Sequence, residues 1–216
     1  MSVIAERIAY FRNRLPEGVR LAAVSKFKPA EAIMEAYEAG QRLFAENRPL
    51  EFEDKARRLP SDIEWHFIGH LQTNKVKNVV PYAALIQSID SEHLLKAVND
   101  YAARIGKVQD ILLEVFVASE TTKQGLSEEE AVDLAERIGQ YPNVRLRGVM
   151  AMATFTDDMD QVRREFSKAA SIAAKVAAAA GIEKPEISMG MTSDYEVAVQ
   201  CGSTMVRIGT AIFGAR

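Results

Sequence analysis

The sequence is short of the residues that make covalent or metal-held scaffolds. It has one cysteine, Cys201, so no intrachain disulfide can form, and a lone thiol fits a reducing compartment. It has three histidines, His66, His70 and His93, none with a cysteine companion, and no zinc site is expected. No Gly-x-Ser-x-Gly elbow, P-loop or Gly-x-Gly-x-x-Gly motif occurs, so the familiar hydrolase, nucleotide-triphosphate and dinucleotide signatures are missing. No stretch approaches the roughly 20 apolar residues that cross a bilayer. Residues Met1 to Arg14 carry charges at Glu6, Arg7, Arg12 and Arg14 and lack the apolar run of a signal peptide, so a cytoplasmic location is expected. Basic residues are scattered, and a net charge of −3 gives no support for nucleic-acid binding.

What is present suits a soluble chain with a substantial core: 216 residues, 48% hydrophobic and 26% charged. No Pro/Gly/Ser-rich linker divides it, and one domain over residues 1–216 is expected. Apolar, β-branched runs alternate with helical patterns. Strands are predicted at Leu21–Ser25, Leu43–Glu46, Glu64–Gly69, Ala84–Ile89, Asp110–Val117, Arg145–Met152, Glu186–Met189 and Met205–Ile208. Helices are predicted at Ala30–Ala39, Leu50–Arg58, Asn74–Val80, Glu92–Ile105, Glu128–Ile138, Asp160–Ala180 and Tyr195–Gln200. An additional N-terminal helix, Val3–Arg14, places Ile4, Ile8 and Phe11 on one face. Gly40, Gly106 and Gly181 close helical runs, where a left-handed residue is favoured.

Strand–helix alternation argues for parallel pairing, and eight repeats predict a closed (β/α)₈ (TIM) barrel. An open doubly wound sheet is the alternative. It more often has a glycine-rich first turn, and here the first strand runs into Ser25-Lys26-Phe27-Lys28-Pro29. Function in a barrel collects at the carboxyl ends of the strands. That brings Lys26, Asn47, His66, Ser88, Ser188 and Arg207 into one field of view.

The most informative stretches are Ile187-Ser188-Met189-Gly190-Met191-Thr192-Ser193-Asp194 and Val206-Arg207-Ile208-Gly209-Thr210. Each reads as an apolar strand ending in small, hydroxylated and glycine residues. Ser193-Asp194-Tyr195-Glu196 has the pattern of a helix capping box. Barrels frequently bind phosphate through the loops after strands seven and eight. Ser188, Gly190, Ser193, Gly209 and Thr210 are the candidate cradle; ordinary turn and cap chemistry explains any one of them. Lys26 ends the first strand, which neighbours the eighth in a closed barrel. A lysine there is either a solvated charge or an amine able to form a Schiff base. Lys28 competes for that role, but lies further from the strand. Arg207 sits in an apolar strand, and a buried arginine needs a partner. That partner is either Glu46 or Glu114 in an ion pair, or the pyridine nitrogen of a cofactor. A phosphate cradle, a strand-end lysine and an arginine together suggest pyridoxal 5'-phosphate held as an imine on Lys26. His66, on the third strand, reads as a hydrogen-bonded core residue.

These residues fall in blocks that resemble a known family. The blocks are Ala23-Val24-Ser25-Lys26, Ala45-Glu46-Asn47-Arg48, the run from Trp65 to Lys75, Ser188-Met189-Gly190-Met191 and the run from Gly202 to Thr210. In order and over nearly the whole chain, they look like the pyridoxal phosphate homeostasis protein family, whose fold is similar to the barrel domain of alanine racemase. The resemblance implies that Lys26 is the imine lysine, that Arg207 faces the pyridine nitrogen and that Asn47 lies near the cofactor. It also implies a phosphate site at Ser188, Gly209 and Thr210; Met189, Gly190 and Ser193, in the stretch that follows Ser188, complete the expected cofactor-binding set. Two positions depart from the pattern: Ala45 where glycine often precedes Glu-Asn-Arg, and Gly148-Val149-Met150 where Gly-Leu-Met is usual.

The family's role is cofactor binding in support of pyridoxal phosphate supply, with no established turnover. No catalytic or metal-binding residues are therefore expected, and the protein is expected to be a monomer that serves pyridoxal phosphate-dependent apo-enzymes. A racemase needs proton carriers on both faces of the ring. In alanine racemase a second domain supplies one, and here Arg216 follows Gly209 by seven residues, so none is expected. A weak racemase and a cofactor-free Schiff-base aldolase are the alternatives.

Overall fold

The computed structural model describes residues 2–118 and 125–214. It opens with α1 (Val3–Arg14), and then strands and helices alternate. The strands are β1 (Arg20–Val24), β2 (Leu43–Glu46), β3 (Glu64–Phe67), β4 (Leu85–Ile89), β5 (Gln109–Val115), β6 (Val144–Ala151), β7 (Glu186–Ser188) and β8 (Met205–Ile208). Each pairs in parallel with its neighbour, and β8 returns to β1, closing the barrel. The helices between them are α2 (Ala30–Glu38), α3 (Pro49–Arg58), α4 (Val76–Val79), α5 (Glu92–Arg104), α6 (Glu128–Glu136), α7 (Met159–Ala180) and α8 (Tyr195–Gln200). A last short helix, α9 (Thr210–Phe213), follows β8. The expected barrel and its N-terminal helix are both present. Among the described residues no helix is long and apolar enough to cross a membrane.

Alternation along each strand builds two cores. Ala22, Val24, Leu43, Ala45, Leu85, Leu112, Met150 and Met205 fill the barrel, with Ile68 packed against them. The intervening residues face the helices: Phe44, Trp65 and Phe67 form one packed aromatic cluster with Phe52 of α3, Phe52 meeting Phe67 edge-on at 5.7 Å between centroids.

Local signals set the boundaries. Ser91 caps α5 by accepting from Leu94 N, and Ser127 with Glu130 forms a reciprocal capping box on α6. Gly181 ends α7 in the left-handed conformation, at φ 68°. The predicted helix over Asn74–Val80 instead divides into a 3₁₀ turn, Thr73–Lys75, and the short α4. The capping box expected at Ser193 is not formed. Asp194 takes the N-cap position of α8, and its Oδ1 accepts from Met191 N at 2.5 Å, while Ser193 is exposed. Gly148 marks a register shift between β5 and β6. It has φ 149°, and a Cβ there would lie 2.0 Å from the Glu186 carbonyl oxygen, so β7 can approach only a glycine.

Candidate functional site

The carboxyl ends of β1, β7 and β8 meet at one side of the barrel mouth. Ala22 pairs in register with Arg207 and Ala23 with Ile208. A Cβ on Gly209 would lie 3.2 Å from the Val24 carbonyl oxygen, so the end of β8 sits directly on the end of β1. Lys26 follows two residues later, half-buried. Among the described residues its ammonium has no hydrogen bond or ion pair. Lys28 differs: its Nζ donates to the Gly214 carbonyl at 3.0 Å.

The backbone on either side of Lys26 is anchored by a buried polar cluster. Glu46 is fully buried, and its Oε1 accepts from Ser25 Oγ at 2.6 Å and from Lys55 Nζ at 2.8 Å. Lys55 Nζ also donates to the Ser25 carbonyl at 2.9 Å and to Glu51 Oε1 at 2.7 Å. The same Glu51 oxygen accepts from Phe27 N at 2.7 Å. Phe27 is held at φ 63°, the one non-glycine residue with positive φ among those described. Burial pushes the Glu46 carboxyl above its ordinary range, and Lys55 works against that shift.

Arg207 is 3% exposed. Its Nη1 donates to the Ser188 carbonyl and Oγ, each at 2.8 Å, and Nη2 donates to the Ala151 carbonyl at 3.0 Å. Neither ion pair considered for it is formed. Glu46 points to the helix side of β2, where it pairs with Lys55, and Glu114 makes no ion pair with Arg207 among the described residues. Burial lowers the guanidinium to about 10, leaving it charged at neutral pH. Ser188 Oγ in turn donates to Gln87 Oε1 at 2.6 Å, and Gln87 Nε2 donates to His66 Nδ1 at 2.8 Å. His66 Nε2 then donates to Glu64 Oε1 at 3.0 Å. His66 is therefore a core residue, and burial lowers its pKa and keeps the ring neutral.

This polar chain crosses the barrel from its N-terminal end to its mouth, and it ends on Arg207. It commits the Ser188 hydroxyl to holding the guanidinium, and that hydroxyl has no exposure toward the mouth. Met189 and Gly190 are also buried, and the Gly190 carbonyl accepts from Arg207 N at 2.9 Å. Ser193 and Thr210 are exposed at the rim. Asn47 follows β2, the strand paired with β1, and its Oδ1 is buried without a partner. Ser88 Oγ is taken by the Gly69 carbonyl at 2.6 Å. Sequence reasoning missed Gln87, Glu51 and Lys55. Gln87 left a signal, as a polar residue inside the apolar strand Leu85–Ile89. Lys55 left none, since Glu51 and Lys55 read as an ordinary surface i,i+4 pair.

The sequence profile of the alanine racemase N-terminal domain family matches residues 1–216. A pyridoxal phosphate homeostasis protein of Vibrio alginolyticus is 43% identical over 212 residues, covering 94% of this chain and 89% of that protein. The chain belongs to this family. A second member, from Aquifex aeolicus, is 38% identical over 100% of this chain and 96% of its own length. PipY of Synechococcus elongatus, solved with pyridoxal phosphate bound, superposes with a TM-score of 0.89 at 36% identity over 98% of this chain and 100% of PipY. A family member with a bound cofactor therefore has this barrel.

Proposed function

We propose that this chain binds pyridoxal 5'-phosphate at the barrel mouth as an imine on Lys26 and serves cofactor homeostasis without catalytic turnover. The observation that carries the reading is the pairing of an uncommitted lysine, flanked by anchored residues, with a rigidly held arginine one strand away. The residues fit such a group: Asn47 Oδ1 is buried and lacks a partner, and Lys26 Nζ is uncommitted.

The bound cofactor supplies a carbonyl that condenses with an amine and a ring that withdraws electrons. Arg207 donates to the pyridine nitrogen and keeps it unprotonated, which weakens the ring as an electron sink. Ser188, Gln87 and the Ala151 carbonyl fix the guanidinium for that contact. Gly190, Ser193, Gly209 and Thr210 border the phosphate, with Met189 packed beneath, and Asn47 closes the opposite edge. The whole chain, residues 1–216, acts as one cofactor-binding domain, a cytoplasmic monomer that serves apo-enzymes.

Ser188→Ala is expected to weaken pyridoxal and pyridoxal phosphate equally, by about five- to tenfold, because it frees Arg207 and leaves the phosphate border intact. Thr210→Ala should weaken the phosphorylated form alone. Fluorescence titration of both ligands on both variants checks this, and a loss confined to the phosphorylated ligand in Ser188→Ala would place that hydroxyl on the phosphate instead.

The absence of turnover is tested with the cofactor-loaded protein, alanine or serine, and deuterated solvent. Negligible exchange at the α-carbon and negligible racemisation by chiral chromatography are expected. Turnover near 1 s⁻¹, within the usual enzyme range of roughly 1–10³ s⁻¹, would establish a racemase instead.

A further inference from the structure

We propose that Glu114 is a ligand-contacting residue of the mouth, donating a hydrogen bond from its carboxyl to the phenolic oxygen of bound pyridoxal. The inference rests on the cofactor reading above and assigns a residue that the motifs do not mark. Along β5, Ile111, Leu113 and Val115 face the helices and Leu112 fills the barrel, so Glu114 points inward one residue before the strand ends. It is 3% exposed. Among the described residues its carboxyl makes no hydrogen bond and no ion pair. The carboxyl oxygens keep a little exposure and have no protein partner among the described residues, so they are available to a ligand that enters the mouth.

Its level in the barrel is that of Arg207. Glu114 pairs in register with the inward-facing Met150, and Arg207 bonds the carbonyl of Ala151, the next residue. The charged groups around it are Arg207 from β8, Asp90 after β4 and His70 after β3. Lys26 follows β1 at the same mouth, and neighbouring β6 presents only the uncharged Met150 at that register. His70 and Asp90 hold each other at 3.1 Å. Burial first, then Asp90, raise the Glu114 carboxyl to about 7, against the pull of Arg207 and His70. Much of it carries a proton at neutral pH and is a donor.

Ring chemistry selects the acceptor. The imine carbon of pyridoxal lies between the phosphate arm and the phenolic oxygen. With the phosphate arm toward β7 and β8 and the imine on Lys26, the phenolic oxygen falls on the opposite flank, lined by β2 to β5. There Ser88 is committed to Gly69, and His70 is committed to Asp90. Asn47 and Glu114 are left, and of the two only Glu114 titrates.

The test is the absorption spectrum of the loaded protein, followed across neutral pH. The parent imine band is expected to change with a midpoint at or above about 7, because the bound anion favours the protonated acid. Glu114→Gln keeps a donor and should hold cofactor with a band that no longer titrates in this range. Glu114→Leu should retain cofactor about tenfold less well, the loss expected for a hydrogen bond to a charged acceptor. An unchanged midpoint in Glu114→Gln would overturn the assignment, as would unchanged retention in Glu114→Leu. If the parent itself gives no imine band with pyridoxal phosphate, the cofactor reading falls. A band that persists but ignores Glu114 removes this inference alone.

Discussion

Lys26→Ala is expected to abolish borohydride-fixed pyridoxal phosphate, and Lys28→Ala to leave it in place. Both lysines follow β1, and sequence position separates them by only two residues. The structure separates them by what their ammonium groups do. Lys28 donates to the Gly214 carbonyl, whereas the Lys26 ammonium is free among the described residues. Imine formation needs an amine that no other group already holds, and only Lys26 offers one at the end of β1. The chain around Lys26 is also fixed. Ser25 is held through its carbonyl and hydroxyl by Lys55 and Glu46, and Phe27 N by Glu51. Peptide mapping after reduction reads the result directly, and label on Lys28 or Lys75 in the parent protein would move the site.

Lys55→Met is expected to be the most destabilising single change near the mouth, by about 3–5 kcal/mol in urea unfolding. Lys55 is 7% exposed and satisfies Glu46, Glu51 and the Ser25 carbonyl together. Removing it leaves a carboxylate in the core with one oxygen, Glu46 Oε2, already unpartnered. The surface pair of Arg58 and Asp54, 3.1 Å apart on the same helix, makes the control. Breaking it should cost less than about 1 kcal/mol, because both ends are solvated. Adding Glu46→Gln to Lys55→Met should recover part of the loss, since no buried charge then remains at that position. A cost below about 1 kcal/mol for Lys55→Met would show the cluster to be solvated. Cofactor trapping in Lys55→Met should fall too, since the anchors on both sides of Lys26 are loosened.

The alternation of apolar strands with amphipathic helices determined the barrel, because period and length of local patterns are properties of the chain itself. β2, β8, α1 and α8 have the predicted bounds, and the other strands shift by one or two residues at one or both ends. The overshoot of β1 into Ser25 and of β3 through Gly69 has a local cause: those residues look strand-like but lie beyond the paired ladder. The glycine ends of helices were also legible, since Gly40, Gly106 and Gly181 all have positive φ. The 3₁₀ turn at Thr73–Lys75, the Asp194 cap and α9 were not, being set by how loops close over the mouth.

At the site, the sequence named the strand ends, which the closed sheet then brought together. It could not say which polar groups were already committed. Ser188 is bound to Arg207 and Gln87, Glu46 to Lys55, and Glu114 to nothing among the described residues. The difference is physical. Which face a residue takes follows from its place in a period of two or 3.6, and the sequence carries that period. Whether a buried group has a partner depends on residues a hundred positions away, such as Gln87 and Ser188, and only closure of the barrel puts them within hydrogen-bond distance.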